Sequence, residues 1–362
     1  MRKIVASVIM LFYLAACAVS SPPTNEVGAQ DPTAAADTGR AVDEPTGAWE
    51  VSQWAEITLE NVAHLEELAI LEGHARGVAF VVVNPASTIL VSSSDEGRIR
   101  VWDLKSGNEI ATLVHGPQTV GIAINPEGNQ LVSGATDRSV RIWDLDTATQ
   151  IREFNELPWA IVIVDWSPDG TLVAASARDH IVRVWHVDSG ELLHQLVGHV
   201  DDVYSVEFDP RSDTLATGSL DGSVMIWDLG DGETQQYFKA SDEGVFYAAF
   251  SPDGSRFAAC GGGLVGRDNS VRIFDSTSWE AESKLNGFDT TVVSCFFSAD
   301  GRLLFTRTFG GELWIWDMLS QEVVAELEVP SSWLPAMALD PGGQFLAVGD
   351  PEGVIHIYGV RP

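Results

Sequence analysis

Basic residues are scarce in this chain. Against 52 aspartates and glutamates stand 21 lysines and arginines, only four of them lysines, and the formal charge over 362 residues is −31. Such a chain repels phosphate backbones, and its arginines are scattered rather than clustered, so nucleic acid is a poor partner. Cysteine is equally sparse: there are three, and none has the paired spacing of a zinc site. The sequence also lacks H-E-x-x-H, a phosphate loop ending in Gly-Lys-Ser/Thr, G-x-S-x-G and a complete calcium loop. No catalytic residue, metal or cofactor is therefore assigned, and the chain is read as a binding protein rather than an enzyme.

What is present begins with Arg2 and Lys3, an apolar run from Ile4 to Ala16, and Leu14-Ala15-Ala16-Cys17. The run is too short for a confident membrane-spanning helix. It resembles the signal of bacterial lipoproteins, which implies cleavage before Cys17, lipidation of its thiol and stable anchoring by more than one acyl chain. An ordinary cleaved signal and an uncleaved anchor are the alternatives. Ala18 follows where an aspartate would suggest retention in the inner membrane, so the resemblance places the protein in the cell envelope, on the outer membrane if the organism has one. Residues 17–48 are rich in Pro, Ala, Thr, Ser, Gly and acids, with almost no large apolar side chain. They read as a hydrated tether between the signal peptide, 1–16, and a folded domain, 49–362.

The folded part repeats. Trp102-Asp103, Trp143-Asp144, Trp185-His186, Trp227-Asp228, Phe274-Asp275, Trp316-Asp317 and Tyr358-Gly359 recur every 41 or 42 residues, with one interval of 47. Turn pairs keep the same period: Asn84-Pro85, Asn125-Pro126, Ser167-Pro168, Asp209-Pro210, Ser251-Pro252, Ser298-Ala299 and Asp340-Pro341. Between these markers run short alternating strands, four to a unit. The pattern, over about residues 57 to 360, resembles the WD-repeat family. The resemblance implies an all-β, seven-bladed WD-repeat β-propeller. Its outer-type strand Leu65 to Leu71 precedes any inner three, and the last inner three, ending near Val354 to Tyr358, lack an outer strand. Pairing the N-terminal strand with the C-terminal blade would close the ring and remove the exposed edges.

The same resemblance implies a network within each blade that joins a histidine, a hydroxyl, a turn acid and the tryptophan. In unit four it is His199, Ser219 or Thr217, Asp221 and Trp227, with Ser219 preferred, and the match is complete there alone. His74 and His115 lie 22 residues before Glu96 and Asp137, the offset of His199 to Asp221. A constant offset over several copies argues for a structural relay rather than a catalytic one. Gly310 replaces the acid in unit six, which should be held by packing alone. Gly261, Gly263 and Gly266 satisfy G-x-G-x-x-G, but a strand follows where a dinucleotide site needs a helix, so the segment reads as a loop. Asp201-Asp202 reads as a solvated acidic pair. Cys260 and Cys295 read as unpaired buried thiols, with a disulfide the alternative, permitted outside the cytoplasm but not indicated by the spacing.

In the family the loops before the innermost strands and those joining the second and third gather on one face, around a channel lined here mainly by hydrophobic or hydroxylic residues. Carried onto this sequence, a protein or peptide partner would meet Arg178, Tyr204, Leu220, Phe246, Arg267, Phe309 and Trp333, of residue types that dominate interface energetics. The expected function is a lipid-anchored, monomeric scaffold outside the cytoplasm. The alternative is an envelope-assembly or transport accessory, and a hydrolase or lyase on the channel is a more distant one.

Overall fold

A computed structural model describes residues 54–362, except Pro117, Glu156, Ser212, residues 264–267 and Trp333. The expectations placed on Cys17, the tether, Arg267 and Trp333 lie outside the described residues. Among the described residues, twenty-eight strands form seven antiparallel four-stranded sheets, and a 3-10 turn spans Val62–His64. Six sheets are consecutive in the chain. The seventh combines Met337–Leu339, Phe345–Gly349 and Val354–Gly359 with the first strand, Glu66–Glu72.

Turn chemistry explains why each unit folds back on itself. The Asn84 side chain accepts the N–H groups of Thr88 and Ile89 at 2.8 and 3.0 Å, so the loop after Pro85 is held by its own first residue. Ser167 and Asp209 hold the same place in blades three and four. Asp221-Gly222 closes the tight turn between the second and third strands of blade four. Gly222 has φ +79°, and a Cβ there would collide with the Ser241 carbonyl.

Successive sheets touch through their first strands, which are therefore innermost, and the fourth strands face outward. The ring closes between blades seven and one, where Val78 donates its N–H to the Asp350 carbonyl at 2.9 Å and a Cβ on Gly349 would strike the Val78 side chain. The core consists of the apolar layers between blades. Leu90, Ile99, Leu131, Leu215, Phe257, Phe305 and Phe345 are all buried, and the clusters they belong to run across blade boundaries.

The expected closing strand is confirmed one residue along, at Glu66–Glu72, in antiparallel register from Glu66↔Gly359 to Glu72↔Val354. The chain before it adds a bridge between Ala55 and Val360 and a hydrogen bond from the Ile57 N–H to the Gly343 carbonyl at 2.7 Å. Ile57, Val62 and Leu65 are buried with Leu346, Tyr358 and Val360. Blade seven is thus assembled from both ends of the domain.

The reading of Cys260 and Cys295 as free thiols is corrected. They form a disulfide, with Cα atoms 6.5 Å apart. Cys260 lies on the second strand of blade five, Arg256–Gly262, and Cys295 on the innermost strand of blade six, Val292–Phe297. The separation of 35 residues carries no signal by itself, because stacking of adjacent blades is what brings the two positions together.

Closure predicts the behaviour of two variants. Leu71 is buried on the closing strand, so Leu71→Ala should cost about 2–5 kcal/mol in urea unfolding followed by tryptophan fluorescence. Deleting residues 57–72 should leave an aggregating or protease-sensitive product by size exclusion, and a stable monomeric deletion protein would contradict the closure.

Candidate interaction face

Among the described residues, blades one, two and four carry the relay. In blade one, His74 meets Ser92 Oγ through Nε2 at 2.7 Å and Glu96 through Nδ1 at 2.9 Å, and Trp102 Nε1 donates to the same Ser92 Oγ at 2.9 Å. In blade four, His199 meets Thr217 Oγ1 at 2.8 Å and Asp221 at 3.0 Å, and Trp227 Nε1 donates to Thr217 at 2.9 Å. In blade two, His115 meets Ser133 at 2.6 Å and reaches toward Asp137 through Ser139. Trp143 Nε1 donates to Ser133 at 2.7 Å. Completeness in blade four alone is therefore corrected: a glutamate serves blade one, and a bridging serine serves blade two.

The relay hydroxyl of blade four is Thr217 and not Ser219. The Trp227 indole reaches ten residues back along the hairpin, to Thr217, while Ser219 lies nearer the turn and donates instead to the Asp201 carbonyl at 3.1 Å. Blade six also differs from packing alone, since Trp316 Nε1 donates to Thr306 Oγ1 at 3.1 Å. Phe288 occupies its histidine position and stacks on Trp314 with ring centroids 4.9 Å apart.

The relay histidines have almost no exposed side chain, so no substrate can reach them. Burial lowers His74, favouring its neutral form, although Glu96 pulls the other way. Burial alone would raise Asp221, but hydrogen bonds from His199, Ser223 and the Val200 backbone outweigh it and hold the carboxyl well below the usual range. These are structural ties.

Two carboxylates stand on the innermost strands, where hydrophobic or hydroxylic residues were expected. Asp165 and Glu207 stand two residues before the turn pairs of blades three and four, on the neighbouring innermost strands Ile161–Trp166 and Val203–Phe208. Asp165 accepts the Phe208 N–H at 3.1 Å. Burial raises Asp165 to about 7, against hydrogen bonds from the Phe208 and Trp166 backbone. Burial and the Asp165 charge raise Glu207 well above its ordinary value, and Tyr247 on the next innermost strand is raised by burial and by both acids. The pair was legible in principle, since both residues occupy a position where the other units carry Val82, Ala123, Ala249, Phe296 and Ala338.

At one end of the blades the loops bring part of the expected recognition set together. Tyr204 and Phe246 pack with ring centroids 5.9 Å apart, and Leu220 and Phe246 both border the space beside the Gly244 Cα. Arg178 pairs with the buried Asp202 at 2.9 Å. Phe309 stands on the turn of blade six, away from that aromatic pair in the chain, and anchors its loop through an N–H bond to the Thr291 carbonyl at 2.8 Å. The same loops expose Trp159 (56%) and Val200 (81%), and Val200 escaped notice in the sequence because a lone valine beside a histidine carries no pattern.

Asp201 is exposed as expected of a solvated acid, but Asp202 is buried. Donor atoms of His180, Asp201 and Asp202 lie within 4.8 Å of one another. The Arg178 guanidinium on Asp202 opposes a cation there, and burial nonetheless raises Asp202 against the pull of Arg178 and His180. Within the cluster Arg178 and His180 pair with Asp202 at 2.9 and 3.3 Å.

A family profile for the WD domain, G-beta repeat, matches residues 65–103, 107–144, 158–186, 190–228 and 232–275, just over half of the chain. The chain belongs to the WD-repeat family. Four of the matched units start on or near an outer strand, the third starts just before its innermost strand, and all end on the Trp-Asp pair or its equivalent, so the first contains the strand that closes blade seven. Similarity to curated proteins is more local. Protein HIR1 of Cryptococcus neoformans var. neoformans serotype D, in two strains, is 27% identical over 98 residues, covering 27% of this chain and 11% of each relative. In this WD-repeat propeller the rigid, relay-bearing blades one, two and four flank or carry the exposed loops, an arrangement suited to binding other proteins.

The acid pair sets a pH dependence. With Asp165 raised from 3.8 to about 7, the folded state holds a proton that the unfolded chain releases between those values. The stability that Asp165 contributes should therefore be lost as pH climbs from about 4 to about 7, each tenfold difference in proton affinity between the two states being worth ~1.4 kcal/mol. Asp165→Asn keeps the acceptor for Phe208 and removes the ionisation, so the variant should be more stable than the parent at pH 8 and nearly equal at pH 4 in urea titrations.

Proposed function

We propose that this protein is a lipid-anchored scaffold outside the cytoplasm, non-enzymatic and monomeric, that captures a protein or peptide on the loop face of its propeller. The observation that carries this reading is the exposure of Trp159 and Val200 on the loops beside the half-buried Tyr204 and Leu220, with the buried Phe246 packed on Tyr204 as support. Exposed aromatic and aliphatic side chains on rigid loops provide binding energy with little ordering cost. Arg178, Arg267, Phe309 and Trp333 complete the proposed patch.

Two features support the location. The Leu14-Ala15-Ala16-Cys17 sequence fits lipidation at Cys17, and the Cys260–Cys295 disulfide fits an oxidising compartment. In this reading the acidic tether holds the propeller off the bilayer, and the anchor is in the outer membrane where one exists.

The test is crosslinking in intact cells followed by affinity capture. Combined alanine substitution of Tyr204, Phe246 and Trp333 should weaken capture by at least about 30-fold, the equivalent of one hot spot, with unchanged circular dichroism. Retained capture would discard the patch. Cys17→Ser should move the protein from the membrane fraction to the soluble envelope fraction.

A further inference from the structure

In blades three to six, one position on the second strand faces the next blade, and its occupant changes along the ring. In blade three it is Ser176, whose hydroxyl donates to the Val203 carbonyl at 2.8 Å. In blade four it is Gly218, where a Cβ would sit 2.6 Å from a Val245 methyl, so the seam closes by direct packing. In blade five it is Cys260, bonded to Cys295 of blade six. In blade six it is Arg307, fully buried, whose guanidinium donates to the carbonyls of Ala336 at 3.2 Å and Gly349 at 3.1 Å in blade seven and of Pro330 at 2.6 Å in the loop leading there.

The covalent link and the guanidinium link start from two of the blades that lack the relay histidine. Blade five has Ser241, Ala259 and Phe274 at the histidine, hydroxyl and tryptophan positions, and blade six has Phe288 at the histidine position. Blade five holds its loop end without a histidine: Asp268 accepts the Asp242 N–H at 2.9 Å and pairs with Arg272 at 3.0 Å and Lys284 at 2.6 Å, and the disulfide adds a tie to the next blade.

We propose that the Cys260–Cys295 disulfide is a redox-sensitive tie that sets the rigidity of the loop face over blades five and six. Cys260 pairs across its hairpin with Tyr247, the residue after Phe246 of the aromatic pair. Cys295 lies four residues beyond Thr291, whose Cα would be 2.9 Å from a Cβ on Gly262 and whose hydroxyl donates to the Gly263 carbonyl at 3.3 Å. The sulfur bridge therefore holds the base of both loops. An external dithiol breaks the S–S bond by giving two electrons and two protons, becoming a disulfide as Cys260 and Cys295 become thiols. Both cysteines are fully buried, so the dithiol reaches them only when the seam opens. The remaining cysteine of the chain, Cys17, precedes the repeats, so no other seam between blades has a thiol to respond.

The experiment is native-state hydrogen exchange by mass spectrometry on the folded protein, oxidised and after dithiothreitol, and it needs no partner. Reduction should speed exchange at least about tenfold in peptides covering 243–248, 262–269 and 289–295, and leave 161–166 and 203–208 unchanged. Equal exchange in the two states overturns the proposal, and so does acceleration of all seven blades together, which would make the bond a global stabiliser. Alkylation in denaturant without reductant should label neither cysteine, and labelling of both would remove the tie altogether. The Cys260→Ser/Cys295→Ser double variant should reproduce the reduced pattern. If it fails to fold, the reduced parent supplies the reading.

Discussion

Each blade is a four-stranded sheet with two apolar faces, and only the adjacent blades can cover them. That constraint governs the rest of the molecule. A lone blade would expose its core residues, and an open row would leave two end faces and two unprotected edges, so stability requires the last blade to meet the first. The strand Glu66–Glu72 satisfies this by pairing with Val354–Gly359, which ties the N-terminal part of the domain to its C-terminal blade.

Within that ring, blades are stiffened in two different ways. Blades one, two and four use a buried histidine to join a strand hydroxyl to a turn acid, while the tryptophan indole shares the hydroxyl. Every polar atom in such a set finds a partner, which is what makes a buried polar network rigid rather than costly. Blades five and six add links to the next blade, one covalent and one through a guanidinium bound to main-chain carbonyls. The Arg307 cation, lowered to about 10 by burial, is tolerated because it has several carbonyl acceptors.

The innermost strands of blades three and four show the opposite balance. Desolvation raises both Asp165 and Glu207, and the Asp165 charge raises Glu207 further, at a cost to stability above neutral pH. The loop face, by contrast, carries exposed aromatic and aliphatic groups on a rigid base, and that combination suits it to contact with a partner.

Much of the architecture was legible from the chain alone. Two marker dipeptides repeating with one period revealed seven units, and the strand count at each end revealed the closure, because both are local patterns summed along the sequence. The constant offset of 22 residues exposed the histidine–acid pairs in the same way. Tertiary structure alone decided matters that depend on which residues face each other across a hairpin or a seam. Thr217 rather than Ser219 accepts from Trp227 because of its distance along the strand, Cys260 meets Cys295 because blades stack, and Asp165 and Glu207 come together because their strands are neighbours. No spacing encodes those meetings, since each arises from the position of one strand or blade against the next.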